Sequence, residues 1–145
     1  MTTRPPPAIA GVLETCLYAR ELAAAASFYE EVLGLEPFSR ADERHVFFRC
    51  GSGVFLLFNP DQTNLPGGDV PPHGASGAGH VAFSVPGDEL PAWRARLDVC
   101  GVAVEAEIAW PSGGSSLYLR DPAGNSVELA NPSIWGLDRS GDGRT

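Results

Sequence analysis

The chain carries one signature twice. Leu56-Leu57-Phe58-Asn59-Pro60 and Glu128-Leu129-Ala130-Asn131-Pro132 each close a strand-rich block. Each block opens on a strand with a single polar residue at the corresponding place, Glu14 in the first and His80 in the second. A sequence that repeats a unit of this size folds by packing two copies of one supersecondary motif, so equivalent positions in sequence become equivalent positions in space. That constraint turns three scattered residues, Glu14, His80 and Glu128, into one candidate metal site.

The elements between these landmarks repeat in order. In the first unit, residues 12–18 read as a strand and 21–33 as a helix, whose apolar Leu22, Ala25, Ala26, Tyr29, Val32 and Leu33 recur at the three-and-four spacing of one face. Gly34 is a helix stop, and strands follow at 35–40, 44–50 and 53–59. In the second unit a strand at 80–85 leads into a helix at 86–100, with Asp88 as its N-cap, Leu90, Trp93 and Leu97 on its buried face and Gly101 as its stop. Strands at 102–110, 115–120 and 125–130 complete it, the last two joined by the turn Asp121-Pro122-Ala123-Gly124. The interval from Glu14 to Gly34 matches that from His80 to Gly101 to within one position. The predicted class is therefore α+β: two βαβββ modules forming a curved mixed sheet around a cleft. The expected organisation is an N-terminal arm (1–10), a first module (11–60), a Gly/Pro-rich connector (61–77), a second module (78–135) and a flexible tail (136–145), one structural domain in all. A connector of this length is either a linker or a functional lid.

Charge and cysteine usage narrow the partners. A net charge of −8 argues against contacts with nucleic acid phosphates or an anionic membrane surface. Cys16, Cys50 and Cys100 have no zinc-ribbon spacing, so reduced thiols in a cytoplasmic protein are expected. No apolar run is long enough to span a bilayer, and residues 1–7, with three prolines, lack the apolar segment of a secretory signal.

Three segments, AASFYEEVLGL (25–35), GHVAFSV (79–85) and LYLRDPAGNSVEL (117–129), resemble the vicinal-oxygen-chelate superfamily, the glyoxalase/bleomycin resistance protein/dioxygenase group. The resemblance implies metal ligands on the first and last strands of each unit, the places held here by Glu14, Leu56, His80 and Glu128. Leu56 cannot ligate a metal and is left to face substrate. Glu14 stands where the family commonly has His. This leaves Glu14, His80 and Glu128 to hold a divalent ion (Zn, Ni, Mn, Fe or Co), with Glu14 or Glu128 available as a catalytic base. Each has a plainer reading: a lone strand histidine bonded to backbone, or a carboxylate turned to solvent by strand alternation. A carboxylate on a strand as apolar as that of Glu128 is costly to bury unless it is paired or ligated.

Around this set, Tyr118 and Ser116 match places that contact substrate in fosfomycin-modifying relatives, and Trp110 is placed to shape an entrance. Arg49 belongs to an alternating set with His45 and Phe47, opposed by Val46, Phe48 and Cys50; one set faces the cavity. His73, in the connector, is placed to fold over the site. The implied function is a metal-dependent glyoxalase- or dioxygenase-like enzyme, a lyase or isomerase among the possibilities, acting on a small oxygenated substrate by stabilising an oxyanion. The alternative is a metal-free, bleomycin-resistance-like protein that sequesters a small molecule. The resemblance also implies a homodimer, in which the cleft is often completed or buried between chains.

Overall fold

Both halves of the repeat fold as four-stranded mixed sheets with a helix on one face. The computed structural model describes residues 4–137. Strands β1 (Glu14–Tyr18), β2 (Glu36–Ala41), β3 (His45–Cys50) and β4 (Gly53–Phe58) form one sheet in the order β1-β4-β3-β2. Strands β5 (His80–Ser84), β6 (Ala106–Ala109), β7 (Ser115–Arg120) and β8 (Ser126–Ala130) form the other in the order β5-β8-β7-β6. In each sheet the first strand pairs in parallel with the fourth. Glu14 stands opposite Val54 and His80 opposite Ser126, which places Leu56 and Glu128 at corresponding positions two residues further on.

Strand alternation divides each sheet into two faces. Leu17, Val46, Phe48, Phe55 and Leu57 of the first sheet and Val81, Leu117, Leu119, Val127 and Leu129 of the second are buried in a single core. The modules share that core through aromatic rings: Phe83 of β5 meets Phe55 edge-on at 5.4 Å and Tyr29 at 6.3 Å. Each such ring is worth about 1.5–3 kcal/mol of transfer free energy, so neither unit is expected to be stable with this seam exposed. The opposite faces carry Glu14, Cys16, Tyr18, His45, Phe47, Leu56 and Phe58 in the first sheet, and His80, Ser116, Tyr118 and Glu128 in the second.

The helices depart from the sequence pattern in informative ways. Helix α1 (Leu22–Ser27) does not continue to Leu33 as an α-helix; Phe28–Val32 is a π-helical turn, closed by Leu33 N–H on the Phe28 carbonyl at 3.3 Å. Apolar spacing predicts a helical face but cannot register a widened turn, which is set by how the buried Phe28 and Tyr29 seat against the sheets. The connector opens with a one-turn helix, α2 (Pro60–Thr63), capped by the Asn59 side chain accepting from Asp61 N–H at 3.1 Å. Asp88 does not cap the second helix. It lies in a 3-10 turn (Gly87–Glu89), and α3 (Leu90–Val99) follows from Glu89 with no side-chain cap. Gly34 and Gly101 adopt φ of +74° and +71°, the left-handed conformation that ends a helix without a Cβ penalty. Strand β6 is shorter than expected, because residues 102–104 pack without pairing.

A buried polar knot ties the modules together. Tyr29 donates its hydroxyl to Asp121 Oδ2 at 2.6 Å, and Asp121 Oδ1 accepts the backbone N–H groups of Ala123 and Asn125, both at 2.9 Å. Burial first, and then the Asp121 charge, push the Tyr29 phenol well above its ordinary value. A phenol whose folded pKa is raised contributes stability that is complete below its unfolded pKa, about 10, and is lost progressively as pH rises above it. Tyr29→Phe is therefore expected to be less stable than the parent by about 1 kcal/mol at neutral pH, with the two melting temperatures converging above about pH 10. Thermal melts across that range check it; a gap that does not narrow refutes the assignment.

Candidate functional site

Two groups of side chains lie on the faces turned away from the shared core. The tighter one belongs to the second sheet. His80, the first residue of β5, places Nδ1 3.0 Å from the Ser126 carbonyl, which can only accept, so Nδ1 donates to it and Nε2 is the nitrogen left for another partner. That Nε2 lies 3.3 Å from Glu128 Oε1. The His80 side chain is 52% exposed and that of Glu128 only 7%, so one edge of the pair is open to solvent and the other is embedded in the sheet.

Glu128 is held from behind. Ser116 donates its hydroxyl to Glu128 Oε2 at 2.6 Å and accepts Trp110 Nε1–H at 2.8 Å. Strand register explains the contact: β7 and β8 run antiparallel with Tyr118 opposite Glu128 and Ser116 opposite Ala130, all on one face. Ser116 is fully buried and supports the carboxylate; it does not face a ligand. Tyr118 does border the open side, its ring stacked 6.4 Å from that of His80 at 19°. Burial, then the negative charge of Glu128, raise the Tyr118 phenol, so it remains a proton donor at neutral pH.

Glu14 does not join this pair within the chain. Among the described residues no three His, Cys, Asp or Glu side chains approach closely enough to hold one ion. Glu14 instead lies on the first sheet, at one end of a cavity of about 630 Å³ lined also by Cys16, Tyr18, Phe47, Leu56 and Phe58. His73 folds from the connector onto the same cavity, with Nδ1 2.7 Å from the Tyr18 hydroxyl and its ring edge-on to Phe58 at 4.7 Å. The open alternation of β3 resolves with His45 and Phe47 toward the cavity and Val46 and Phe48 in the core. Arg49 is exposed and lays its guanidinium over Phe38 at 4.6 Å, outside this cavity.

The sequence reading singled out neither Tyr18 nor Arg44 as a site residue. Tyr18 shares the strand parity of Glu14, a signal sufficient to find it. Arg44 lies in a turn, where alternation gives no direction.

The profile of the Glyoxalase/Bleomycin resistance protein/Dioxygenase superfamily matches residues 11–129. The chain belongs to this superfamily. A lactoylglutathione lyase from Agrobacterium tumefaciens is similar in structure, with a TM-score of 0.84 and 41% identity over 90% of this chain and 98% of that one. The metallothiol transferase FosB of Bacillus licheniformis is 27% identical over 88% of this chain and 79% of its own length. The fosfomycin resistance protein FosX of Listeria monocytogenes shares the fold, with a TM-score of 0.65 and 20% identity over 84% of this chain and 91% of that one. Superfamily membership fixes the architecture and leaves the reaction to the site, since one fold carries many chemistries. Among the described residues no helix is long and apolar enough to cross a membrane, and Cys16, Cys50 and Cys100 are free thiols.

Proposed function

We propose that this superfamily member is a metal-dependent enzyme acting on a small oxygenated substrate. His80 and Glu128 of one subunit and Glu14 of a second copy would hold the ion. One observation carries the reading. His80 Nε2 and Glu128 Oε1 face each other at 3.3 Å, while the remaining nitrogen and oxygen are committed to Ser126 and Ser116. A divalent cation held by both groups would satisfy them, and an imidazole oriented by a backbone carbonyl beside a hydrogen-bonded carboxylate is the usual supporting arrangement of a metal site. The donor set fits a divalent ion of the first transition row.

Three further points support Glu14 as the third donor. It occupies the position in the first sheet that His80 occupies in the second. It is exposed and makes no side-chain hydrogen bond or ion pair among the described residues. Ile9, Val12 and Leu13, just before it, are 91%, 86% and 81% exposed, an apolar run that a second copy would bury.

A bound divalent ion would supply Lewis-acid polarisation of a substrate oxygen. The residues of the chain do the rest. Ser116 keeps Glu128 in one orientation. Tyr118, protonated at neutral pH, donates a hydrogen bond to negative charge developing on the substrate. Glu14, which makes no side-chain hydrogen bond or ion pair among the described residues, would be the base able to exchange a proton with substrate while it helps to hold the ion. A metal-free sequestering protein is the second reading, favoured by the aromatic lining of the first-sheet cavity. Recovery of a bound ligand unmodified in the presence of metal would identify it.

Subunit mixing tests the shared site. Glu14→Ala and His80→Ala homodimers are each expected to lack bound metal. Refolding the two together is expected to restore one metal per heterodimer, because one of its two sites keeps both native residues. Elemental analysis of the separated heterodimer reads the outcome, and no recovery of metal rejects a site built between chains.

A further inference from the structure

We propose that the first-sheet cavity binds a planar aromatic monoanion of the benzoate class, with its ring against His45, Phe47 and Phe58 and its carboxylate on Arg44. The cavity walls are flat π surfaces. His45 stacks on Phe47 with centroids 3.9 Å apart and planes within 10°, and Phe47 and Phe58 meet edge-to-face at 5.4 Å. His73 closes another side and is fixed there by its own backbone. Its N–H reaches the Thr63 carbonyl at 3.0 Å, and its carbonyl accepts the Thr63 hydroxyl at 2.6 Å. The volume, about 630 Å³, accommodates a substituted ring.

Arg44 selects the charge of the ligand. In a chain of net charge −8, Arg20, Arg40, Arg94 and Arg120 each pair with a carboxylate. Half-buried Arg44 has no acidic partner among the described residues. Its guanidinium donates to His45 Nδ1 at 2.9 Å and lies over the Phe58 ring at 5.7 Å, leaving N–H donors at the rim of the cavity. Burial and then the Arg44 charge lower the His45 imidazole, so at neutral pH it adds a neutral face and not a second cation. Among the described residues the only carboxylate lining the cavity, Glu14, lies at the far end of β1: Tyr18 is the strand neighbour of Phe58, while Glu14 pairs with Val54. Four residues of strand separate the two ends by about 13 Å. The cavity is therefore polarised, with a cation at one end, a carboxylate at the other and aromatic walls between. An aromatic anion fits with its charge at Arg44 and its opposite edge directed toward Glu14.

The inference names the substrate class of the proposed reaction, but binding itself is read without metal. Calorimetric titration of the metal-free, full-length protein with benzoate, benzyl alcohol and benzylamine tests it. Benzoate is expected to bind about tenfold or more tightly than benzyl alcohol, the effect of a charge-assisted hydrogen bond, and benzylamine more weakly still. Arg44→Gln is expected to remove the preference for benzoate while leaving benzyl alcohol affinity unchanged, which also shows that the variant is folded. Phe47→Leu is expected to weaken both. Absence of saturable benzoate binding, equal or better binding of benzylamine, or an undiminished benzoate preference in Arg44→Gln each overturns the proposal. If benzoate fails to bind while metal content depends on His80, this inference alone is lost. If benzoate binds while metal content ignores His80, only the metal reading is lost.

Discussion

Removal of the His80 imidazole is expected to strip the protein of divalent metal. Losing a group that merely orients a ligand typically lowers metal affinity 10- to 100-fold, so loss of a ligand itself is expected to cost at least about a hundredfold. The same scale gives Ser116→Ala a loss of about 10- to 100-fold, because Glu128 Oε2 would lose the hydroxyl that holds it at 2.6 Å. The two variants separate ligation from orientation. Both are expected to fold, since the His80 side chain is half exposed and Ser116→Ala removes one oxygen. Elemental analysis alongside thermal melts reads both effects. Metal content unchanged in His80→Ala would mean that the cation between Nε2 and Oε1 is a proton, and the site would be a plain ion pair.

Asn125→Ala is expected to destabilise the fold by about 3 kcal/mol, roughly 6–12 °C in Tm. Asn125 is fully buried, and its side chain spans the modules. Its Oδ1 accepts Gly79 N–H at 2.8 Å, and its Nδ2 donates to the Tyr18 carbonyl at 3.1 Å and to Asp121 Oδ2 at 2.9 Å. Truncation leaves a part-buried donor, Gly79 N–H, and a part-buried acceptor, the Tyr18 carbonyl, without this partner. Each such group costs about 1–3 kcal/mol. Asn125→Asp keeps the volume but turns the donor into an acceptor facing a carboxylate and a carbonyl, so it is expected to be at least as harmful. Urea unfolding of both variants distinguishes lost hydrogen bonds from lost volume. An Asn125→Asp protein as stable as the parent would refute this account of the knot.

The consequence extends to the site, because the same knot positions both first strands. Gly79 immediately precedes His80, and Tyr18 ends the strand that begins at Glu14. A packing-neutral loss of Asn125 thus loosens the relation between the two open faces as well as the core beneath them.

Much of this architecture was legible before any coordinates. Repetition of the Asn-Pro ending, the paired Gly34 and Gly101 stops, and apolar alternation within each strand sufficed for two βαβββ modules. The repeat also put Glu128 at the place in its module that Leu56 holds in the first, and His80 at the place of Glu14. Those patterns are local: they depend on side-chain period and backbone conformation, which neighbouring residues determine. The features that escaped are the ones set by contacts between distant segments. The π-turn at Phe28–Val32, the burial of Ser116 behind Glu128, the folding of His73 onto Tyr18 and the isolation of Arg44 from every described carboxylate all depend on how one element seats on another.

The sequence by itself determined the repeat, and with it that Glu14 corresponds to His80 and Leu56 to Glu128; that His80 and Glu128 share a sheet face follows from the parallel register of β5 with β8. Only the tertiary structure decided that Glu14 does not meet them within one chain. Equivalence under the repeat makes positions correspond between modules; it does not bring them together. The packing of the two sheets through Phe83 and Asn125 leaves Glu14 apart from the His80–Glu128 pair among the described residues.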